Sequence, residues 1–193
     1  MNYLAHLHLS GTSTGLIIGN FIADSVKGSA INSFSDEIKE GIRLHRKIDR
    51  FTDTHPIVEE SKQRLREKYK KYASVIVDVF YDHYLASNWI DYSTESLDEY
   101  TKNIYSIIEE HKSVLPPKSQ MFSEYMLKYN ILSAYAKLDG IERVLRGMST
   151  RTRFISNMEN AIFDLKESYP LYENEFKRFY PDLKQFVNTQ IDI

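Results

Sequence analysis

The chain has 193 residues, a net charge of −2, 27% charged residues and no cysteine. That length suits one domain spanning residues 1–193 with a sizeable core. The missing thiols exclude disulfides and thiolate metal sites, and the balanced charge provides no general basic field for nucleic acid. No apolar run reaches the length of a membrane span. The opening "MNYLAHLHLS" has no basic leader and breaks its apolar run with two histidines, so a soluble cytoplasmic protein without membrane or nucleic-acid partners is expected.

Glycine and proline punctuate a helical pattern. "TGLIIGNFIADSVKG" predicts a helix from about Thr14 to a cap near Gly28. "SFSDEIKEGIRLHRKIDRFT" predicts a second, with serine caps and two acids in its first turn, broken at His55-Pro56. "PIVEESKQRLREKYKKYA" starts on proline and runs from acids to bases, as a helix dipole prefers. "ASVIVDVFYDHYLASNW" is apolar nearly all round. Its β-branched run permits a strand, but its length and lack of a turn signal favour a buried central helix. "SLDEYTKNIYSIIEEH" reads as an amphipathic helix stopped before Pro116-Pro117. Helices over "SQMFSEYMLKYNILSAYAK", "GIERVLRGM" and "TRFISNMENAIFDLKESY" follow, and a last one begins after Pro170. The tyrosines and phenylalanines of the second half recur at helical spacing and read as core. The expected architecture is a compact, single-domain, all-α helical bundle.

Several polar residues fall on apolar faces. His45 and Asp49 share a stripe with Ile38, Ile42 and Ile48, while Arg43, Arg46, Lys47 and Arg50 face the other way. Asp78 and Asp82 share a stripe with Val75, Leu85 and Trp89, and His83 follows directly. Asn20 and Asp24 lie beside Ile17 and Phe21. His6 and His8 alternate with leucines; they point the same way in an extended segment and apart in a helix. A buried carboxylate neutralises itself or finds a cation. Imidazole and carboxylate without sulfur suit Mn²⁺, Mg²⁺, Fe²⁺ or Zn²⁺, and helices offering ligands at i and i+4 build such sites inside bundles. The alternative is a hydrogen-bonded core, with His45 and Asp49 a simple helix pair. Further on, Arg143, Arg146, Arg151 and Arg153 flank a Gly-Met-Ser turn read as opening a helix. That is either an anion site or ordinary capping with exposed arginines.

Taken together, "MNYLAHLHLS", "GNFIADSVKG", "GIRLHRKIDRFTD", "VDVFYDHYLASNW" and "GMSTRTR" resemble the ordered motifs of the acyl carrier protein phosphodiesterase family. The likeness runs from the first residue to about Arg151 and more loosely beyond. It implies an HD-like helical fold and removal of 4′-phosphopantetheine from holo-acyl carrier protein. The implied cofactor is a divalent metal, Mn²⁺ first, with Mg²⁺ or Fe²⁺ as alternatives. Unlike ordinary HD proteins, this chain has no adjacent His-Asp doublet. The resemblance implies His8, Asp24, His45 and Asp82 as metal ligands. His6, Asp49 and Asp78 would orient water or support a ligand, His83 would protonate the leaving serine, and Arg46 would neutralise phosphate. Asn20, Arg146 and Arg151 would face the substrate. An acidic carrier protein implies a basic rim, offered by residues 62–71 and 143–153. Two readings compete with this one: hydrolysis of a nucleotide or other small phosphate ester, and a non-enzymatic helical binder of acyl carrier protein. Oligomeric state is left open.

Overall fold

The computed structural model describes residues 1–191, and every regular element among them is helical. The first half contains α1 (Tyr3–His8), α2 (Thr14–Ile22), α3 (Asp36–Thr54), α4 (Pro56–Tyr69) and α5 (Ala73–Ser87). The second contains α6 (Leu97–Glu110), α7 (Pro117–Lys128), α8 (Ile131–Ala134), α9 (Leu138–Ser149), α10 (Ala161–Glu167) and α11 (Tyr169–Asn188). The β-branched run does form the central helix: Ile76, Val77, Val79, Phe80, Tyr81, Tyr84 and Leu85 of α5 are buried. α1, α4, α9 and α11 pack around it. The aromatic residues of the second half serve as core. Tyr172, Phe176 and Tyr180 of α11 are buried, and Phe80 and Tyr81 meet Tyr172 and Phe176 edge-on.

Local chemistry sets the helix ends. Ser35 accepts from the Ile38 amide at the start of α3, and Ser96 and Glu99 form a reciprocal capping box on α6. Proline ends α3 and occupies the first turn of α4, where its missing N–H costs no helical bond. Four predicted segments differ from the structure; in one, the helix expected over "TRFISNMENAIFDLKESY" is α-helical only from Ala161 to Glu167, after Asn157 at φ +54° and a 3₁₀ turn. α2 stops at Ile22 and continues as short 3₁₀ turns, with Gly28 at φ +55° rather than acting as its cap. Asn130, at φ +45°, splits the predicted helix over "SQMFSEYMLKYNILSAYAK" into α7 and α8. Gly147, Met148 and Ser149 close α9 rather than opening a helix, so the nearby arginines face the carbonyl end, and no N-terminal anion site forms there.

α2 and α3 cross at two glycines, with Gly19 of α2 and Gly41 of α3 face to face. A Cβ on Gly19 would lie 2.1 Å from the Ile38 carbonyl oxygen, and one on Gly41 would lie 2.5 Å from that of Leu16. Only glycine permits the backbones to approach this closely. The contact brings Asn20, one residue past Gly19, against α3.

Candidate metal centre

α1 and α3 each present an imidazole to the same carboxylate. His6 Nε2 lies 3.1 Å from Asp49 Oδ1, and His45 Nε2 lies 3.1 Å from Asp49 Oδ2. The two rings stack with centroids 4.0 Å apart. Asp24, in the 3₁₀ turn after α2, adds a carboxylate 3.4 Å from His45 Nε2. His6, His45 and Asp49 each contribute a donor atom to a group whose members lie within 4.8 Å of one another, and this group could hold a metal ion. It opens into a pocket of about 360 Å³ that Asp24, Thr52, Asp53, Ser74 and Asp78 also line.

Hydrogen bonding fixes the orientation of one ring. His45 Nδ1 lies 2.9 Å from Asn20 Oδ1, an atom that can only accept, so the proton sits on Nδ1 when the ring is neutral and Nε2 is free to ligate. The Asn20 amide nitrogen donates to the His6 carbonyl at 2.9 Å and to Ser10 Oγ at 3.0 Å. One buried asparagine therefore ties together α1, α2 and α3. The resemblance implied that it faces substrate; in the fold its oxygen meets His45 and its nitrogen is taken up by His6 and Ser10.

The electrostatics of the group call for a cation. Burial drives the His6 pKa down to about 4, helped by the charge on His45 and opposed by Asp49. Burial would also lower His45, but its bonds to Asp24 and Asp49 outweigh that and raise it to about 9. Asp49 is partly desolvated, which works against its charge, yet the bonds from His45 and His6 hold its pKa well below the usual carboxylate range. Asp24 is lowered chiefly by its bond to His45. His45 thus carries a proton where two carboxylates require positive charge. Two buried polar atoms of the pocket lining, His6 Nδ1 and Thr52 Oγ1, have no hydrogen-bond partner among the described residues. Imidazole nitrogens and carboxylate oxygens converging in a polar pocket fit a borderline or hard divalent ion.

The other sequence-derived residues lie in different surroundings. His8 shares α1 with His6, but successive helix positions turn by about 100°, so it leaves on another side. Its Nδ1 meets Tyr180 Oη at 2.6 Å, and its ring packs edge-on to Trp89. Asp82 is fully buried and accepts from the amides of Asn2, Leu4 and Ala5 at 3.2, 2.7 and 3.4 Å. It neutralises the start of α1. Burial raises its pKa to about 7 against those bonds. Asp78 lines the pocket but pairs with the Met1 amino group at 2.8 Å. The positive partner anticipated for the two α5 aspartates is thus the beginning of α1. His83 has both ring nitrogens occupied, by the Tyr135 carbonyl at 2.8 Å and Tyr169 Oη at 2.9 Å. Arg46 donates to the Val26 carbonyl at 2.9 Å, and Arg146 pairs with Glu142 at 2.9 Å on the surface. Arg151 lies over the Tyr125 ring at 5.0 Å. Tyr3, Val75 and Met148 join the pocket lining with no signal in the sequence, because each reads as an ordinary core residue.

The fold and site together define an all-α protein whose pocket carries a His–His–Asp group able to hold a metal ion. The sequence matches the family model for acyl carrier protein phosphodiesterase over residues 1–183. Curated relatives named acyl carrier protein phosphodiesterase include one from Pectobacterium atrosepticum, 34% identical over 98% of this chain and 99% of the relative. Another, from Photorhabdus laumondii, is 35% identical over 94% of this chain and 92% of its own length. A third, from an Enterobacter species, is 34% identical over 99% of this chain and the whole of the relative. No solved structure matches. The chain belongs to the acyl carrier protein phosphodiesterase family, a family of enzymes.

Proposed function

We propose that this protein hydrolyses the phosphodiester joining 4′-phosphopantetheine to a serine of holo-acyl carrier protein, releasing apo-acyl carrier protein and 4′-phosphopantetheine. The observation that carries this reading is the convergence of His6, His45 and Asp49 in a chain of this family. His6, His45 and Asp49 would hold a divalent cation, Mn²⁺ first and Mg²⁺ or Fe²⁺ as alternatives, with Asp24 beside them. When bound, the ion supplies charge stabilisation at the phosphoryl oxygens and acidifies water.

The chain's own residues supply the rest. Asn20 fixes the His45 ring so that its ligating nitrogen faces the pocket. Asp24, whose side chain is 74% exposed and lies 3.4 Å from His45 Nε2, would accept a proton from the attacking water. The water oxygen would bond to phosphorus, the bond from phosphorus to the serine oxygen would break, and that oxygen would take up the proton that left the water, passed on from Asp24 through solvent. Lys62, Arg66, Lys70 and Lys71 line a surface hollow that also includes Ser74, a residue of the metal-centre pocket. This basic rim suits an acidic carrier protein, and a cytoplasmic location accords with such a substrate.

Mass spectrometry of holo-acyl carrier protein tests the reading. Incubation with the protein and Mn²⁺ should convert the holo mass to the apo mass, and chelator should prevent it. An unchanged holo mass with Mn²⁺, Mg²⁺ and Fe²⁺ would overturn the assignment. Faster hydrolysis of a member of a nucleotide panel would redirect it to a small phosphate ester.

A further inference from the structure

A second cavity adjoins the candidate metal centre. Its volume of about 330 Å³ falls in the range of roughly 300–1,000 Å³ typical of small-molecule sites. Tyr72, Phe122, Tyr125, Val144 and Met158 form most of its wall, and Asn2, Tyr3, Val75 and Met148 line both this cavity and the polar pocket. The two spaces therefore share one wall. Tyr3 stands at their junction with its ring stacked on Phe122 at 4.5 Å, and its hydroxyl makes none of the hydrogen bonds found among the described residues. The Arg151 guanidinium, held over Tyr125, is the charged group of the wall.

The composite has one acidic, imidazole-rich end and one aromatic and aliphatic end. With the proposed divalent cation held by His6, His45 and Asp49, a ligand that fills both would carry an anionic ester at one end and a flexible, uncharged, largely apolar arm at the other. We propose that the apolar cavity is the slot for the pantetheine arm, which would place the phosphodiester over His6, His45 and Asp49. The inference rests on holo-acyl carrier protein being the substrate. The arm's geminal methyl groups suit the aromatic walls, and its amides reach only a few polar groups, among them Asn2, Thr152 and Arg151. Met158, which lines only the apolar cavity, provides adaptable thioether surface for the arm. Recognition would then act on the prosthetic group and not only on the carrier protein.

Gly147 gives a direct test. A Cβ there would meet Tyr125 Oη at 3.6 Å and Arg151 Nη2 at 3.9 Å, ordinary contact distances, so a larger side chain grows into the slot. Leucine also favours the helical turn in which Gly147 sits. Isothermal titration of 4′-phosphopantetheine into the wild-type protein should show binding, and G147L should weaken it at least about tenfold. V144F, one turn earlier on the same wall, should act the same way. Mn²⁺ affinity, measured in parallel, should stay at the wild-type value in both variants and so report an intact centre. Equal binding of 4′-phosphopantetheine by all three proteins, or no binding to the wild type at millimolar ligand, would overturn the slot. Holo-acyl carrier protein turnover separates the slot from the substrate assignment. Unchanged turnover by G147L and V144F defeats the slot and leaves the substrate standing. A wild type that binds the free arm in a G147L-sensitive way but leaves holo-acyl carrier protein intact supports the slot and defeats the substrate assignment.

Discussion

The α3 pair His45/Asp49 and the α5 run Asp78/Asp82/His83 look alike in the sequence, yet they do different work. Each places carboxylate and imidazole on an apolar helix face. On α5 every member is occupied by structure: Asp82 by three amides of α1, Asp78 by the Met1 amino group, His83 by a carbonyl and a tyrosine. On α3, His45 and Asp49 bond mainly to other titratable groups, and they do so at the wall of an open pocket. Hydrogen-bond accounting separates the two. A polar group fully satisfied by backbone is holding the fold. His45 and Asp49, bonded to other titratable side chains and to Asn20 at a pocket wall, belong instead to a group that could hold a metal ion.

The sharpest way to break this contrast is to remove a donor from each side. His45→Ala or Asp49→Ala should reduce turnover by more than the roughly 100-fold upper range for supporting residues, while the thermal melting curve keeps its cooperative shape. Wild-type activity in either variant would remove α3 from the centre. Asp82→Ala should do the reverse. It leaves buried amides of α1 unpaired, at about 1–3 kcal/mol for each such group, and urea denaturation should show the loss. An Asp82→Ala protein with full stability but no Mn²⁺ binding would put α5 back among the ligands.

Asn20 tests the link between the two halves of the site. Asn20→Ala should cut metal affinity or activity by about 10–100-fold, the range for partners that orient a ligand ring. A calorimetric Mn²⁺ titration measures it, and an unchanged affinity would leave Asn20 a purely structural residue.

His8 provides a pH signature on the structural side. Burial first, then the nearby Lys184 charge, lowers its pKa to about 4 against an ordinary 6.5. Between those values the unfolded chain binds more protons, so stability should be complete above about pH 6.5 and decline as pH falls toward 4. The His8 share of that slope is at most about 1.4 kcal/mol per pH unit. Denaturant curves at several pH values should be flatter for His8→Asn; identical slopes would place His8 in a more solvated setting.

The smallest effect concerns the rim. Rising salt should lower kcat/KM for holo-acyl carrier protein, and a Lys70→Ala, Lys71→Ala protein should show a weaker dependence. A flat salt profile in the wild type would remove the basic hollow from carrier-protein docking.

Much of the fold was legible because helix signals are local. Ser35, Ser96 and Pro56 mark real helix starts, while Pro117, read only as a stop for the helix before it, opens α7. The arginines of α3 lie opposite its buried stripe, as the period of the sequence requires. Asn130 was less legible, since its left-handed backbone is a conformational choice that composition permits without demanding. For the site, His45, Asp49, Asp24 and His6 stood out as polar residues on apolar faces. The same reasoning selected His8, Asp82 and His83, because a face pattern reports burial and not the identity of the partner. Tyr3, Phe122 and Tyr125 gave no signal at all, since a cavity wall and a core have the same composition.

By itself, the sequence determined an all-helical chain, a central apolar helix and a short roster of polar side chains that would leave water. Tertiary structure decided which of them meet. Forming α1 as a helix rather than an extended segment sent His6 toward α3 and His8 toward α11. The close approach at Gly19 and Gly41 let Asn20 grip His45. Periodicity is a property of one helix, whereas convergence depends on how two helices cross, and that crossing is set by contacts between residues far apart in the chain.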